Sequence, residues 1–413
     1  MQVLHRCCAG LDVHKQVVVA CVRTVVAGEV RQQVRTFRTE TTALLELADW
    51  LTDQGVTHVA MESTGVYWKP IWNLFEDVFA LLLVNAEHIK AVPGRKTDVK
   101  DSQWIAELLQ YGLLSPSFVP AKPIRQLRDL TRQRTQLVRQ KVQVANRVQK
   151  TLEDANIKLG SVATDVLGVS GRDMLRAIIR GERDPIVLAE LARHRLRKKI
   201  PQLQEALLGE IEDHHRFLLR MLLEQVEFLE GQIAQLSQRI AEVLPPPFEE
   251  ALTRLDTIPG IDRKAAEVIV AEMGATLESF PSSGHLASWV GLCPGNHESA
   301  GKRKSGKSTK GNQWLRAALV QAAWAASRSK GTYLRDLCGR LAARRGKKKA
   351  LVAVAHRLVE ILFNVLKKGQ EYRELTAAER QPGPDKERLA RRLLRRLEKL
   401  GLKVSVEAEE TVV

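Results

Sequence analysis

The sequence predicts an α/β domain at the N-terminus and a mostly α-helical remainder, and three observations lead to this fold class. Short β-branched runs alternate with helical patterns over residues 6–120. A long, highly charged stretch with helical periodicity follows over residues 121–247. Pro245-Pro246-Pro247 ends that periodicity, because consecutive prolines break a helix, and helical spacing then resumes up to about residue 370. We therefore predict four segments, 1–120, 121–247, 248–370 and 371–413, of which the last is a charged tail.

The first segment has the element order of a ribonuclease-H-like domain. Three β-branched or alternating runs come first, and Gly28 marks the turn before the third. Helices and strands alternate after them. The predicted elements are strands at Cys7–Asp12, Gln16–Val22 and Val34–Arg38, a helix at Thr41–Leu51, a strand at Thr57–Met61, a helix at Val66–Phe75 and a strand at Val78–Val84. Other α/β folds share parts of this order, so periodicity alone does not single out one of them.

Two long helices are predicted in the second segment. The earlier one, about Ile124–Asn156, carries many Arg and Lys residues, and two interpretations stay equally open for it: a solvated face and a surface that binds nucleic acid. In the later helix apolar residues recur at alternating spacings of four and three, at Leu222, Val226, Leu229, Ile233, Leu236, Ile240 and Val243. Three heptads of this kind predict a coiled-coil seam with an architectural or oligomeric role.

The charge of the chain favours a polyanionic partner. Its 413 residues contain 64 Lys and Arg against 48 Asp and Glu, a formal net charge of +16, and cations that neutralise phosphates release counterions. The five cysteines include no C-x-x-C pair and no Cys/His set with zinc spacing. The N-terminus lacks a signal-peptide core, and no stretch is apolar enough to span a bilayer. We therefore expect a soluble cytoplasmic protein that binds nucleic acid and no membrane.

Four carboxylates stand where they could hold a divalent cation. Asp12 ends the first apolar run, and Glu62 directly follows the strand that ends at Met61. Asp98 and Asp101, spaced i, i+3 ahead of a helical pattern, share one helix face. Carboxylate oxygens suit Mg²⁺ and equally Mn²⁺, and two such ions stabilise the attacking and leaving oxygens of a phosphodiester. Taken alone, each acid is more often a turn residue or a helix cap.

A tight turn in the third segment has two interpretations of equal weight. Ile258-Pro259-Gly260-Ile261 separates two helical patterns, as in helix-hairpin-helix elements that present backbone N–H groups to a phosphate. A second glycine is common in such elements where this chain has Asp262. A purely structural αα-hairpin explains the pattern equally well.

A basic stretch follows, and residues 300–316 contain no acid. Its cations are Lys302, Arg303, Lys304, Lys307, Lys310 and Arg316. They are suited either to hold a scissile phosphate or only to position DNA. From spacing alone the nearby hydroxyls are indistinguishable as nucleophiles: Ser299, Ser305, Ser308 and Thr309.

Three blocks of the first segment resemble the signatures of a known family. They are Gly10-Leu11-Asp12-Val13-His14-Lys15, Glu62-Ser63-Thr64-Gly65-Val66-Tyr67, and Lys96-Thr97-Asp98 with Asp101. They are similar to the DEDD insertion-sequence transposases, also known as bridge-RNA-guided recombinases, whose N-terminal domain resembles the RuvC junction resolvase. The resemblance implies that Asp12, Glu62, Asp98 and Asp101 are the catalytic, metal-binding tetrad.

The C-terminal half extends the resemblance. Glu298-Ser299-Ala300-Gly301, Lys310-Gly311-Asn312 and Leu315-Arg316 are similar to the family's C-terminal transposase domain. This implies that Ser299 is the nucleophile that forms a covalent phosphoserine link to DNA. It also implies donor and target DNA, an element-encoded guide RNA and a homodimer or homotetramer as partners. The alternatives are a RuvC-like junction nuclease without a covalent intermediate and a non-catalytic nucleic-acid-binding scaffold. Residues 157–200 have no evident counterpart in the family.

Overall fold

The computed structural model describes most of the chain. The described residues are 2–26, 28–63, 65–85, 89, 101–295, 297–299, 302–305, 308, 310–374, 394–395 and 397–398, with backbone only at 297–299 and 302–305. They form two compact units, Met1–Arg125 and Gln126–Val413.

A five-stranded sheet lies at the centre of the first unit, in the order β3-β2-β1-β4-β5. Its strands are β1 (Cys7–Val13), β2 (Val17–Val26), β3 (Glu29–Arg38), β4 (His58–Glu62) and β5 (Ala80–Val84). The first three pair antiparallel, because short turns join them, and β1, β4 and β5 pair parallel. Every predicted strand is present within a few residues of its predicted bounds. The order is consistent with the ribonuclease-H-like domain predicted from the sequence.

In the described part of the first unit, three helices cover the two faces of this sheet. They are α1 (Thr41–Asp53), α2 (Trp68–Phe75) and α3 (Asp101–Gln110). Leu11 and Met61 are buried in one cluster with residues of α1 and α2. Cys8 and Ala60 are buried in another cluster with residues of α3. Strands buried on both faces need apolar residues at successive positions, which explains the continuous apolar runs in β1 and β4.

Helices make up most of the remainder, as predicted. They are α4 (Lys122–Asp154), α5 (Leu159–Val162), α6 (Val169–Ile179), α7 (Pro185–Glu190), a 3₁₀ helix at His194–Lys199, α8 (Ile200–Ala206), α9 (Asp213–Val243), α10 (Pro246–Asp256), α11 (Arg263–Met273), α12 (Ser283–Val290), α13 (Gln313–Ala326), α14 (Tyr333–Arg345) and α15 (Lys347–Lys368). None of the helices in the described part of the chain is both long enough and apolar enough to cross a bilayer.

The predicted heptad seam lies on α9, and its partner is α4 of the same chain. Leu229 shares a buried cluster with Leu137 and Val144 of α4. Ile240 shares another with Leu127 of α4. The heptads are therefore satisfied within one chain, so they are not by themselves evidence for a second copy.

Between α4 and α9 lies a helical module, residues 157–211, which covers the stretch without a family counterpart. Met174 of α6, Leu188 of α7 and Leu203 of α8 share a buried core with Leu152 of α4. The module is therefore a folded part of the second unit.

The C-terminal part of the second unit packs around α15. This helix contacts α10, α13 and α14 and also α12, and it buries Leu358 and Leu362. A two-stranded antiparallel hairpin, β6 (His297–Ser299) and β7 (Lys302–Ser305), lies in the basic stretch. No strands were predicted for this stretch from the sequence.

Candidate active site

Asp12 and Glu62 lie side by side at the carboxyl ends of two neighbouring parallel strands. Leu11 of β1 pairs with Met61 of β4, so the next residues along each strand are Asp12 and Glu62. Leu11 and Met61 point into the core beneath α1 and α2. Since side chains alternate along a strand, Asp12 and Glu62 belong to the opposite face, which α3 covers. The Oδ2 atom of Asp12 lies 3.2 Å from Nε2 of His14.

Helix α3 brings a third carboxylate to the same end of the sheet. Its last residue, Gln110, accepts a hydrogen bond from the backbone N–H of Leu4 at 2.9 Å, before β1 begins. Its middle contacts Cys8, whose Sγ donates to the carbonyl oxygen of Ala106 at 3.6 Å. The helix therefore runs antiparallel to β1, and its first residue, Asp101, lies toward the end of β1 that carries Asp12.

A glycine in β1 allows this approach. A Cβ on Gly10 would overlap the backbone of Ser102 and Ala106 in α3. Gly10 stands on the same face of β1 as Asp12, because the two are separated by one residue. The close contact thus holds the start of α3 directly over the strand that ends in the carboxylate.

These carboxylates lie at one end of the sheet, but their oxygen atoms are not all within 4.8 Å of one another in this structure. Asp12, Glu62 and Asp101 supply oxygen atoms only, as Mg²⁺ and Mn²⁺ prefer. Asp98, the fourth predicted ligand, lies outside the described residues. The described part of the chain therefore brings three of the four predicted ligands to one end of the sheet.

The predicted nucleophile lies on the unforeseen hairpin. Ser299 in β6 pairs with Lys302 in β7, and the register is irregular between His297 and Glu298. The side chains of Ser299, Lys302, Arg303 and Lys304 lie outside the described residues, as does Lys307 entirely. In the sequence, two residues including a glycine separate the two strands, which is the hairpin signal that the sequence analysis missed.

The remaining two cations of the basic stretch differ in their surroundings. Lys310 is exposed. Arg316, on α13, donates from Nη2 to Oγ of Ser308 at 2.8 Å. Arg316 therefore holds a residue of the basic stretch against the helix that follows it.

A second possible nucleophile, Cys293, lies just before the hairpin. Its Sγ is 3.9 Å from Nε2 of His356, whose Nδ1 lies 3.6 Å from a carboxylate oxygen of Glu360. Burial raises the pKa of the Cys293 thiol. A thiol must ionise to attack, so Cys293 is a poorer candidate than its position beside a histidine suggests.

A buried acid that the sequence analysis did not single out anchors the end of the basic stretch. Glu272 of α11 is fully buried. It accepts two hydrogen bonds from Arg132, at 2.6 and 2.8 Å, and one from Nδ2 of Asn312 at 2.7 Å. Asn312 also caps α13, because its Oδ1 accepts from the N–H groups of Trp314 and Leu315. The sequence did contain a sign that Glu272 is buried and paired, because it is a charged residue inside the apolar run of α11.

Most cations of α4 that have described contacts are paired with protein groups. Arg128 and Arg132 pair with Glu272, and Arg134 forms a buried pair with Glu267 at 2.6 Å. Further along α4, Lys141 pairs with Glu230, and near its start Arg125 pairs with Glu76. These residues serve packing within the protein. The exposed cations of α4 that make no hydrogen bond to a described carboxylate are Lys122, Arg139, Arg147 and Lys150.

Glu76 and Glu230 stay ionised over a wide pH range because of these pairs. The hydrogen bond from Arg125 holds the pKa of Glu76 below its ordinary value. For Glu230, burial works to raise the pKa, but hydrogen bonds from Arg172 and Lys141 outweigh it and the pKa is lowered.

The turn at Ile258-Pro259-Gly260-Ile261 has the features of a structural hairpin. A Cβ on Gly260, whose φ is +89°, would overlap the backbone of Ala322 and Ala326 in α13. Asp262 caps α11 by accepting a hydrogen bond from the N–H of Ala265 at 2.8 Å. The turn is thus packed against α13, and a carboxylate already occupies the helix N-terminus. Both features favour the structural interpretation over phosphate binding.

Among the residues that the structure describes, one group of possible metal ligands has its ligand atoms within 4.8 Å of one another: Asp154, His214 and His215, in the second unit. Nδ1 of His215 accepts a hydrogen bond from the backbone N–H of Glu212 at 3.2 Å. The neutral ring therefore carries its proton on Nε2, which lies 3.3 Å from Oδ2 of Asp154. Nδ1 of His214 lies 3.1 Å from Oε2 of Glu212, so both histidines take part in hydrogen bonding at the start of α9.

Two protein-family models match the chain. A transposase model of the DEDD IS110 type matches residues 9–157, and the model of the IS116/IS110/IS902 transposase family matches residues 252–338. The first range contains Asp12, Glu62, Asp98 and Asp101, and the second contains Ser299. The helical module lies almost entirely between the two ranges.

Three curated relatives have names that refer to transposition or to the inversion of a gene. The chain is 28% identical to a probable family 20 transposase of Pseudomonas aeruginosa over 326 residues, 76% of this chain and 85% of that protein. It is 26% identical to the transposase for insertion sequence element IS1111A of Coxiella burnetii over 302 residues, 70% of this chain and 72% of that protein. It is 28% identical to a pilin gene-inverting protein of Moraxella bovis over 145 residues, 34% of this chain and 45% of that protein.

Proposed function

Because the chain belongs to the IS110-type insertion-sequence transposases, which are DNA-cutting enzymes, we propose that it cuts and rejoins DNA strands with a metal-binding carboxylate tetrad and a serine nucleophile. The tetrad is Asp12, Glu62, Asp98 and Asp101, and the nucleophile is Ser299. In this proposal the first segment, 1–120, is a RuvC-like catalytic domain, and 248–370 is the transposase domain that carries the serine. Residues 121–247 join them, and 371–413 form a charged tail.

The observation that carries the proposal is the convergence of three acids from separate elements. Asp12 ends β1, Glu62 ends the neighbouring parallel strand, and Asp101 begins the helix that runs antiparallel over β1. Three acids placed at the same end of one sheet could share a ligand of positive charge, and this placement supports the proposal.

A divalent cation fits this set of oxygen donors, with Mg²⁺ and Mn²⁺ equally suited. When bound, it would polarise a phosphodiester and stabilise charge on its oxygens. The chain's own part is to keep the ligands in place. Gly10 lets α3 lie against β1, and the parallel register fixes Asp12 beside Glu62.

In the proposed covalent step, Oγ of Ser299 attacks the phosphorus, and the bond from phosphorus to the leaving sugar oxygen breaks. The serine loses its proton, and the leaving oxygen takes one up. Rejoining reverses the step with a different sugar hydroxyl, so no external energy source is needed. The six cations of the basic stretch, Lys302, Arg303, Lys304, Lys307, Lys310 and Arg316, are proposed to hold the DNA phosphates.

Donor and target DNA are the proposed substrates, and an element-encoded RNA is the proposed guide. The net charge of +16 supports both, because it favours any nucleic acid. A dimer or tetramer is also proposed. The heptads do not support it, since α4 fills their seam, but another face of α9 exposes Phe217, Met221 and Phe228.

The test is a search for a covalent protein–DNA adduct. Purified protein, the RNA transcribed from its element, labelled donor and target DNA and Mg²⁺ are combined and separated on a denaturing gel. We expect a DNA-linked protein band that is lost in Ser299→Ala and in Asp12→Asn. Ser305→Ala, which changes a serine on the other strand of the same hairpin, is the matched control and should retain the band.

Other results would select one of the alternatives. Cleaved DNA without any adduct, unchanged in Ser299→Ala, would indicate a junction nuclease that uses water. DNA binding that is equal with Mg²⁺ and with chelator, and never followed by cutting, would indicate a scaffold. Omitting the RNA shows whether the reaction depends on it.

A further inference from the structure

The helical module at residues 157–211 contains a cavity of about 600 Å³. One wall is the chain from Val162 to Asp165 together with the start of α6, Gly168–Gly171. The opposite wall is Arg193–Leu196 and Lys199, at the 3₁₀ helix. All the residues that line the cavity belong to the module.

The second wall carries a concentrated positive charge. Residues 193–199 have the sequence Arg-His-Arg-Leu-Arg-Lys-Lys, five cations with no acid. Three of the cations line the cavity: Arg193, Arg195 and Lys199. A basic run of this kind on an exposed helix is usually only solvated, but here it faces a concave surface.

Two of the three cavity cations have charges that no carboxylate neutralises. Arg193 pairs with Asp173 at 2.6 Å. Lys199 donates to the carbonyl oxygen of Val162 at 3.0 Å, an uncharged partner. Arg195 is exposed and has no hydrogen-bond or ion-pair partner in the described part of the chain. The guanidinium of Arg195 is thus available to an anion inside the cavity.

The first wall carries a single negative charge. Asp165 is the one carboxylate among the lining residues, and its Oδ1 is engaged by the backbone N–H of Leu167 at 2.9 Å. Gly168 precedes α6 and provides no side-chain cap, and Oγ of Ser170 accepts from the N–H of Arg193 instead of capping the helix. The first residues of α6 line the cavity together with the cations, and a helix N-terminus favours anions, although the Asp165 carboxylate also lies beside Gly168.

We propose that this cavity binds a phosphate of a nucleic-acid strand together with its adjoining sugar. A volume of about 600 Å³ is larger than one phosphate needs, and Val169 and Leu196 give the cavity an apolar part suited to the sugar. The site would add a nucleic-acid contact in a module that lies almost entirely outside the two ranges matched by the family models. This proposal rests on the proposed function only because it takes the ligand to be nucleic acid.

The experiment compares two arginines of the same module in the full-length protein. Arg195→Ala and Arg195→Glu alter the cavity, whereas Arg183→Ala and Arg183→Glu make the same charge changes at an exposed position that does not line it. Affinities for a labelled single-stranded RNA, the single-stranded DNA of the same sequence and a duplex DNA are measured over a range of salt concentrations. Thermal unfolding shows that each variant is folded.

We expect Arg195→Ala to weaken binding of at least one strand about tenfold, as loss of a charge-assisted hydrogen bond to phosphate does. The slope of log affinity against log salt should become shallower by about 0.7 for a single strand. Arg195→Glu should weaken binding further, and the Arg183 variants should change it by less than about twofold. The strand with the larger effect identifies the ligand as RNA or DNA.

Equal effects of the Arg195 and Arg183 variants on affinity and slope would overturn the proposal, because net charge alone would then explain them. The measurement needs no cleavage. A chain that forms no DNA adduct but loses binding in Arg195→Ala would disprove the proposed reaction and leave the cavity site standing.

Discussion

The position of Asp12 in β1 determines which face of the sheet carries its carboxylate. The pleat of β1 places Leu11 in the core and turns Asp12 to the opposite face, beneath the start of α3. A shift of register by one residue would bury the carboxylate among apolar side chains, which is costly for an unpaired charge. The location of Asp12 therefore follows from the same alternation that builds the core.

Glu76 gives a pH prediction at the same scale. Its pKa is held below the ordinary 4.5 by the hydrogen bond from Arg125, whose Nη2 lies 2.7 Å from Oε1. A carboxyl with a lowered folded-state pKa stabilises the protein above its unfolded-state pKa, and this is lost as pH falls through the folded-state value. Glu76→Gln should therefore lower the free energy of unfolding by about 1–3 kcal/mol at neutral pH.

The difference between wild type and Glu76→Gln should shrink below about pH 4.5 and vanish in stronger acid. Urea unfolding at several pH values measures it. Glu46→Gln, at an exposed position in the same unit without a described partner, is the control and should change little. A difference for Glu76→Gln that stays constant down to strong acid would show that its ion pair contributes nothing.

At the scale of elements, the contact of α3 with β1 is the critical one. Gly10→Ala should push α3 away from β1, because the added Cβ overlaps the backbone of Ser102 and Ala106 and neither can yield by rotating a side chain. We expect a loss of about 1–3 kcal/mol in stability. We also expect a larger fall in cleavage than in DNA binding, since Asp101 begins α3.

Thermal unfolding together with cleavage and binding assays tests this prediction. Gly231→Ala is the control, because a Cβ at that position in α9 meets nothing within 4 Å. It should leave activity unchanged and stabilise the protein by up to about 1 kcal/mol, as alanine does in a helix. Full activity and stability in Gly10→Ala would contradict the close packing of α3.

At the scale of the whole molecule, the second unit depends on buried charges joined across distant parts of the sequence. Glu272 pairs with Arg128 and Arg132 of α4 and accepts a hydrogen bond from Asn312, which precedes α13. Arg128 and Glu272 are more than 140 residues apart in the sequence. Removing one partner of a buried pair leaves the other charged and unpaired. Glu272→Ala should therefore lower the stability of the second unit by about 3–5 kcal/mol.

Hydrogen exchange followed by mass spectrometry localises that loss. Protection should fall in α11, in α13 and in the first half of α4, and remain in β1–β5 of the other unit. Glu278→Ala, at an exposed position of the same unit, is the control. Unchanged protection in α11 and α13, or an equal loss in the sheet, would show that Glu272 does not hold the second unit together.

The sequence by itself determined the elements and the identity of the chemical groups. Periodicity gave the five strands, the long helices and the break at Pro245–Pro247, because local spacing records which face of an element is buried. Motifs gave the family, which the models matching residues 9–157 and 252–338 confirm. They also gave the candidate residues Asp12, Glu62, Asp98, Asp101 and Ser299, whose roles stay predictions.

Only the tertiary structure decided which groups meet. The heptad spacing of α9 does not reveal whether the helix that packs on it comes from a second copy or from the same chain. The structure shows that α4 of the same chain packs on this seam. From the sequence, the arginines of α4 were equally compatible with a nucleic-acid-binding surface and with packing inside the protein. The structure pairs two of them with Glu272 and Glu267, which lie more than 130 residues away in the sequence. The cavity of the helical module likewise joins segments about 30 residues apart. Such pairings depend on long-range contacts, which local periodicity does not record.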